Sequence, residues 1–134
     1  MLNYKKIISR LLDQNIYILS NDDKEAIIID PGLGFDLIDG YLKSENLSPI
    51  AVLATHAHID HIASANDCIK NYNIPFYICR GNSIMLDHYD IMKGYMHVDS
   101  VKPEVSHWIE ESEKKITVGS FKFNAISQNN GQQK

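Results

Sequence analysis

Three histidines and one aspartate lie within six consecutive positions of this chain, at His56, His58, Asp60 and His61. In extended backbone alternate side chains share a face, so the imidazoles of His56 and His58 can meet at one metal ion. A bend of the chain after them lets Asp60 and His61 face a second ion. Imidazole and carboxylate are ligands of zinc, and they also suit iron or manganese. We therefore predict a metal site here, in preference to a polar loop with surface histidines.

Apolar patterns on either side of these residues predict the elements that position them. The run Pro49–Thr55 predicts a buried strand, and Ile62–Tyr72 has the spacing of a helix with one apolar side. Asp60 then lies where that helix begins, a position that favours aspartate. Strands alternate with helices between hairpins at both ends of the chain, which predicts a layered α/β fold. The other predicted elements are strands at 15–20, 25–30 and 75–79, helices at 35–44 and 81–87, and a hairpin of 115–118 with 121–126, while 88–106 show no clear period.

The composition excludes several classes of protein. The 13 lysines and arginines and the 17 aspartates and glutamates give a net charge of −4, which argues against a nucleic-acid-binding surface. The longest apolar runs are Ala26–Ile29 and Ile50–Ala54, far short of the ~20 residues of a membrane span. The first residues have no apolar stretch typical of a secretory signal. With only 2 cysteines, too few for a disulfide framework, we expect a cytoplasmic protein.

The length of 134 residues matches one domain. Apolar and polar positions mix throughout residues 1–127, whereas residues 128–134 contain no apolar side chain. Such a polar segment cannot bury surface. We therefore predict a single domain at 1–127, followed by a disordered tail at 128–134.

The His-x-His-x-Asp-His segment after a short strand resembles the metal-binding motif of the metallo-β-lactamase superfamily, and within it that of the glyoxalase II-like (hydroxyacylglutathione hydrolase-like) hydrolases. The segment Ile29–Gly32 is similar to the family's Asp-Pro-Gly turn. The strand Ile74–Cys79 and the hairpin at 116–126 agree with the family in order. The resemblance covers about residues 15–127. It implies the N-terminal part of an αββα sandwich, with the second β-α half missing.

The resemblance further implies metal-dependent hydrolysis of a small thioester or ester. His56 and His58 would hold a first metal ion, and Asp60 and His61 a second, with zinc the usual metal. Hydroxide formed from bound water near neutral pH would attack the substrate carbonyl, and the metal would stabilise the developing oxyanion. Asp60 would also orient the attacking water, which makes it the predicted catalytic residue.

Part of the family's ligand set is expected to be absent. In the family a third histidine comes from a Thr-Pro-Gly-His-Thr-like motif after the last hairpin, and here residues 127–131 read Ser-Gln-Asn-Asn-Gly. We therefore expect a truncated chain with weak zinc binding and little turnover. Two alternatives stay open, a non-catalytic metal-binding remnant and a protein similar to iron persulfide dioxygenases. His88, His97 and His107 could replace the absent ligand, although surface histidines are the simpler interpretation.

Two further expectations concern residues outside the motif. Asp30 can hydrogen-bond the metal-binding histidines, although a turn-forming aspartate explains it nearly as well. The second half of the family fold would cover one face of the sheet, so its absence would leave apolar surface open and favour self-association. The residues expected on that uncovered face are Ile16, Ile18, Ile27 and Ile29.

Overall fold

Eight strands form a six-stranded sheet and a separate hairpin in the computed structural model, which describes residues 2–124. The strands are β1 (Asn3–Ile8), β2 (Asn15–Ser20), β3 (Glu25–Ile29), β4 (Ser48–Ala54), β5 (Phe76–Cys79), β6 (His107–Ile109), β7 (Lys115–Val118) and β8 (Phe121–Asn124). The sheet follows chain order, with β1–β3 antiparallel and β3–β6 parallel. Strands β7 and β8 pair with each other in the hairpin.

Helices connect the parallel strands, as parallel pairing requires. They are α1 (Phe35–Ser44), α2 (Ile59–Ile62), α3 (Ala65–Tyr72), α4 (Ser83–Asp87) and α5 (Tyr89–Met96), with a single 3₁₀ turn at Arg80–Asn82 before α4. The two shortest, α2 and α4, have only four and five residues. No helix within residues 2–124 has the length and apolar character needed to cross a membrane.

Both faces of the sheet carry apolar side chains. The face with Ile16, Ile28, Val52 and Ile78 packs against the helices in the larger core cluster. The opposite face packs against the hairpin β7–β8 in a second, smaller cluster, in which Phe121 is buried. Burial of β3 and β4 on both sides explains their nearly continuous apolar sequences.

The expectation that Ile16, Ile18 and Ile27 lie on an uncovered face is wrong. Ile16 and Ile18 point toward the helices, and Ile27 lies beneath the hairpin, so that all three are at most 1% exposed. Only Ile29, at the edge of the hairpin cluster, is half-buried. Self-association through an uncovered sheet stays a prediction, and these three residues do not support it.

Three of the secondary-structure elements in the described residues were not predicted from the sequence. Strand β1 lies at the sheet edge and is almost entirely exposed, so it has no apolar alternation to detect. Helix α5 lies within the stretch that shows no period, because only Tyr89 is fully buried while Ile91 and Tyr95 face solvent. Strand β6 has only three residues. The helix predicted at Ile62–Tyr72 is observed as α3 at Ala65–Tyr72, and the short helix α2, which ends at Ile62, precedes it.

The predictions for the last residues of the chain stay predictions. Residues 125–126 of the predicted hairpin and the predicted polar tail at 128–134 lie outside the described residues. Within the described part, β7 and β8 form the predicted hairpin on either side of Gly119 and Ser120, with Val118 opposite Phe121.

Candidate metal centre

The candidate ligands lie at one edge of the sheet because two neighbouring parallel strands end there. Strand β4 leads into residues 55–58, and Asp30 follows directly after β3. The Asp30 backbone N–H donates to Leu53 O at 2.8 Å, which carries the strand pairing up to the site. The carboxyl ends of parallel strands meet at the same edge, so residues far apart in sequence become neighbours.

The three imidazoles of the motif are grouped together. The ring centroids of His56 and His61 are 5.2 Å apart, those of His56 and His58 are 5.8 Å apart, and those of His58 and His61 are 6.2 Å apart. His56 and His58 are exposed, whereas His61 is half-buried. The cluster therefore opens to solvent on the side of His56 and His58.

Asp60 and His61 form the inner part of the cluster. Helix α2 begins at Ile59 with His58 in the N-cap position, so Asp60 lies in the first turn, two positions after the N-cap, and not at the helix start as predicted. Asp60 Oδ2 and His61 Nε2 are 3.7 Å apart. Both atoms are of types that bind zinc, so Asp60 and His61 would be the residues to hold an ion here.

Asp30 supports the motif from the buried side. Its carboxylate, only 5% exposed, accepts hydrogen bonds from Thr55 N–H at Oδ1 and from the Thr55 hydroxyl at Oδ2, each at 2.7 Å. Thr55 Oγ1 also lies 3.0 Å from His56 Nδ1. Because the single Thr55 hydroxyl proton goes to the carboxylate, His56 Nδ1–H is the donor in that contact. The Nε2 lone pair of His56 is then free for a metal ion.

His61 lies between two carboxylates. Its Nδ1 is 3.2 Å from Asp30 Oδ2, and its Nε2 faces Asp60. The Nδ1 contact is short but poorly aligned, so this buried nitrogen has no hydrogen-bond partner of good geometry. The Asp30 carboxylate raises the pKa of His61, against the lowering effect of burial.

The pKa of His56 moves the other way. Burial lowers it first, and the neighbouring His61 lowers it further, while the carboxylates of Asp30 and Asp60 oppose the change. The lowered pKa favours the neutral form of His56, which is the form that can bind a metal ion.

Gly32 lets the turn after β3 approach the motif closely. A Cβ at this position would lie 2.5 Å from the backbone oxygen of Asp60 and 2.8 Å from Ser9 Oγ. Real side chains do not tolerate such distances, and the backbone oxygen cannot rotate away. The Pro-Gly step that ends β3 is thus required by the position of Asp60 as well as by the turn.

The donors of the motif, imidazole and carboxylate, fit a metal ion in type. Across residues 2–124, however, no set of three or more His, Cys, Asp or Glu side chains is arranged to hold an ion. The three imidazoles lie near one another, but three ligands do not converge on one point in the described residues. The assignment of His56, His58, Asp60 and His61 as ligands stays a prediction.

The other three histidines have neighbours outside this cluster. His88 Nδ1–H donates to Ile84 O at 2.8 Å, within its own helical turn. His97 ends α5 in a left-handed conformation. His107 lies 3.4 Å from Glu113 and against the ring of Tyr77, with ring centroids 5.3 Å apart. These contacts support their interpretation as surface histidines.

The two cysteines are buried or half-buried by packing. Cys68 is fully buried on α3, and burial raises the pKa of its thiol. Burial also raises the pKa of Cys79, with Glu113 contributing. Sequence reasoning did not give Thr55 a role, because a threonine beside a histidine carries no signal until its hydroxyl is seen to bridge Asp30 and His56.

A comparison with protein-family models agrees with this α/β fold and with the cluster of histidines and aspartate at the carboxyl ends of β3 and β4. A model of the metallo-beta-lactamase superfamily matches residues 9–125, so the chain belongs to that superfamily. The predicted fold class is confirmed by a solved structure, that of the BLEG-1 B3 metallo-beta-lactamase. The two share 34% identity and a TM-score of 0.78, over 91% of this chain and 59% of that one.

Curated relatives include hydrolases. The chain is 28% identical to the probable metallo-hydrolase YqgX of Bacillus subtilis over 116 residues, which cover 86% of this chain and 54% of that protein. It is 43% identical over 65 residues to a hydroxyacylglutathione hydrolase of Buchnera aphidicola, covering 48% of this chain and 26% of that enzyme. The chain thus spans about half the length of YqgX, and a smaller share of the enzyme.

A second solved structure with a similar fold contains metal ions. TTHA1623, whose crystal structure is of a di-iron-bound form, matches with a TM-score of 0.73 at 21% identity, over 86% of this chain and 57% of that one. At this identity the likeness shows the fold alone.

Proposed function

We propose that this chain forms the metal-binding part of a glyoxalase II-like hydrolase that acts on a small thioester or ester. The observation that carries the proposal is the grouping of the His56, His58 and His61 imidazoles with the Asp60 carboxylate. Membership of the superfamily supports metal-dependent hydrolysis. The hydroxyacylglutathione hydrolase relative supports a thioester as the substrate class.

Each residue of the cluster has a role in the proposed reaction. His56 and His58 would hold one ion, and Asp60 and His61 a second. An ion held there supplies Lewis acidity, which lowers the pKa of water and polarises an ester or thioester carbonyl. Asp60 accepts a hydrogen bond from the attacking water and so orients it.

The residues behind the cluster keep the ligands in the required state. Thr55 Oγ1 accepts a hydrogen bond from His56 Nδ1–H, so that the lone pair of Nε2 is left for an ion. Asp30 holds Thr55 with both carboxylate oxygens and contacts His61. Such fixed orientation reduces the conformational freedom that ion binding must remove.

A metal-binding protein without turnover is the second candidate. One observation favours it, since in residues 2–124 no three donor side chains are arranged to hold one ion. Catalytic zinc sites use three protein ligands. If the chain is a hydrolase, we therefore expect slow turnover by this chain alone. If it is a metal-binding protein without turnover, we expect hydrolysis no faster than that caused by the free metal ion.

Hydrolysis of a simple S-acyl thioester by the full chain distinguishes these candidates. The chain is freed of metal, supplied with zinc, and compared with Asp60→Asn and with His88→Ala as the matched control. Zinc-dependent hydrolysis that is lost in Asp60→Asn and kept in His88→Ala supports the hydrolase. Zinc binding with equal background hydrolysis in all three chains supports the second candidate, and absence of zinc binding contradicts both.

A further inference from the structure

Asn82 contacts the backbone of the metal-binding motif from another part of the chain. It ends the 3₁₀ turn that follows β5, and its Oδ1 accepts a hydrogen bond from the Ala57 backbone N–H at 3.2 Å. Ala57 stands between His56 and His58 and is only 2% exposed. The peptide unit that joins His56 to Ala57, between the two candidate ligands, is therefore held by a side chain 25 residues away.

The Nδ2 group of the Asn82 side-chain amide fixes the position of the side chain. Its Nδ2 donates to the backbone oxygen of Cys79 at 3.4 Å, at the end of β5. Strands β4 and β5 are parallel neighbours. The Asn82 side chain therefore bridges the carboxyl ends of two adjacent strands, with its acceptor toward the motif and its donor toward the sheet.

Helix capping does not explain the orientation of the Asn82 side chain. The residue occupies the N-cap position of α4, where an asparagine side chain ordinarily accepts from a backbone N–H of the first helical turn. No such side-chain bond is made to α4. The side-chain oxygen is directed to Ala57 instead, so its bond serves the motif and not the helix.

We propose that Asn82 is a positioning residue that fixes the backbone between His56 and His58, so that both imidazoles face one divalent cation. The proposal rests on the proposed function for the identity of the site. A buried N–H without a partner is unfavourable, so loss of the Asn82 acceptor leaves Ala57 to seek water and frees the backbone on either side. The two imidazoles then lose their common orientation.

The experiment compares three substitutions of Asn82 in the full chain. Asn82→Ala removes both hydrogen bonds. Asn82→Ser keeps a good N-cap residue but is too short to reach Ala57. Asn82→Asp keeps the acceptor at the same size. Asn71→Ala is the matched control, since Asn71 is exposed on α3 and bonds only locally, to Asp67 O.

Two properties are measured on each variant. Amide hydrogen exchange at Ala57, followed by NMR without metal, reports the hydrogen bond itself. Titration with Co²⁺, followed by its visible absorption, reports the affinity of the site. Asn82→Ala and Asn82→Ser should accelerate Ala57 exchange and weaken Co²⁺ binding about tenfold, as for other residues that orient metal ligands. Asn82→Asp and Asn71→Ala should keep Ala57 protected.

The outcomes separate this inference from the proposed function. Unchanged Ala57 exchange in Asn82→Ala overturns the inference, and so does acceleration that is equal across the amides of α4, because that would report loss of the helix. If the parent chain binds no Co²⁺, the proposed function fails. In that case the role of Asn82 in fixing the backbone still stands or falls on Ala57 exchange alone.

Discussion

Both carboxylate oxygens of Asp30 accept hydrogen bonds from Thr55, one from its backbone N–H and one from its hydroxyl, each at 2.7 Å. This pair joins the end of β3 to the end of β4. It fixes the residue that precedes His56 and, through the Thr55 hydroxyl, the proton on the His56 ring. The candidate metal site thus depends on a carboxylate that is not itself a predicted ligand.

Asp30→Asn should weaken metal binding about 10–100-fold, because the amide offers only one acceptor to the two Thr55 donors. It should also lower the free energy of unfolding by about 1–3 kcal/mol, since a hydrogen bond to a buried charged group is lost. Urea unfolding and Co²⁺ titration measure the two effects. Asp36→Asn, at an exposed ion pair with Arg10, is the control and should change neither. Equal metal affinity in Asp30→Asn and the parent would remove Asp30 from the site.

Gly32→Ala should destabilise the chain by about 1–3 kcal/mol, because the new methyl group would lie 2.5 Å from the backbone oxygen of Asp60. Gly40→Ala is the matched control. Gly40 lies within α1 with nothing within 4 Å of the added Cβ, and its replacement should stabilise by about 0.5–1 kcal/mol. Denaturant midpoints report both. Tolerance of Gly32→Ala would mean that the turn and the motif are further apart than described.

Much of this arrangement is predictable from sequence. The hairpin of β2 and β3, the helix α1 and the strand β4 have regular apolar periods because each buries a defined face. Spacing alone grouped His56, His58, Asp60 and His61, since all four follow one strand end. The roles of Thr55 and Asn82 could not be predicted, because their partners are 25 residues away and include backbone groups, which carry no residue-specific signal.

Tyr72→Phe should cost about 0.5–1.5 kcal/mol at neutral pH, since the Tyr72 hydroxyl donates to Asp39 Oδ1 at 2.6 Å, between α3 and α1. Lys43 and Tyr72 lower the pKa of Asp39. A lowered carboxyl pKa contributes stability that is present above the unfolded-state pKa and is lost as pH falls through the folded-state value. The cost of Tyr72→Phe should therefore shrink in acid. Tyr95→Phe, at a tyrosine that is 79% exposed, should cost nothing at any pH.

Thiol labelling should distinguish the two cysteines. Burial raises the pKa of both thiols, and Cys68 is fully buried whereas Cys79 is half-buried. A disulfide reagent near pH 8 should therefore modify Cys79 slowly and Cys68 only after unfolding. Mass spectrometry of the labelled peptides measures the order. Rapid modification of Cys68 in the native chain would contradict the packing of α3 against the sheet.

The central claim is that His56, His58, Asp60 and His61 bind a divalent metal ion. Its most direct test is titration of the metal-free full chain with Zn²⁺ in a calorimeter, in parallel with His58→Ala and the control His88→Ala. We predict weak but saturable binding by the parent and by His88→Ala, and no measurable binding by His58→Ala. Equal binding by all three chains, or binding by none, would contradict the account.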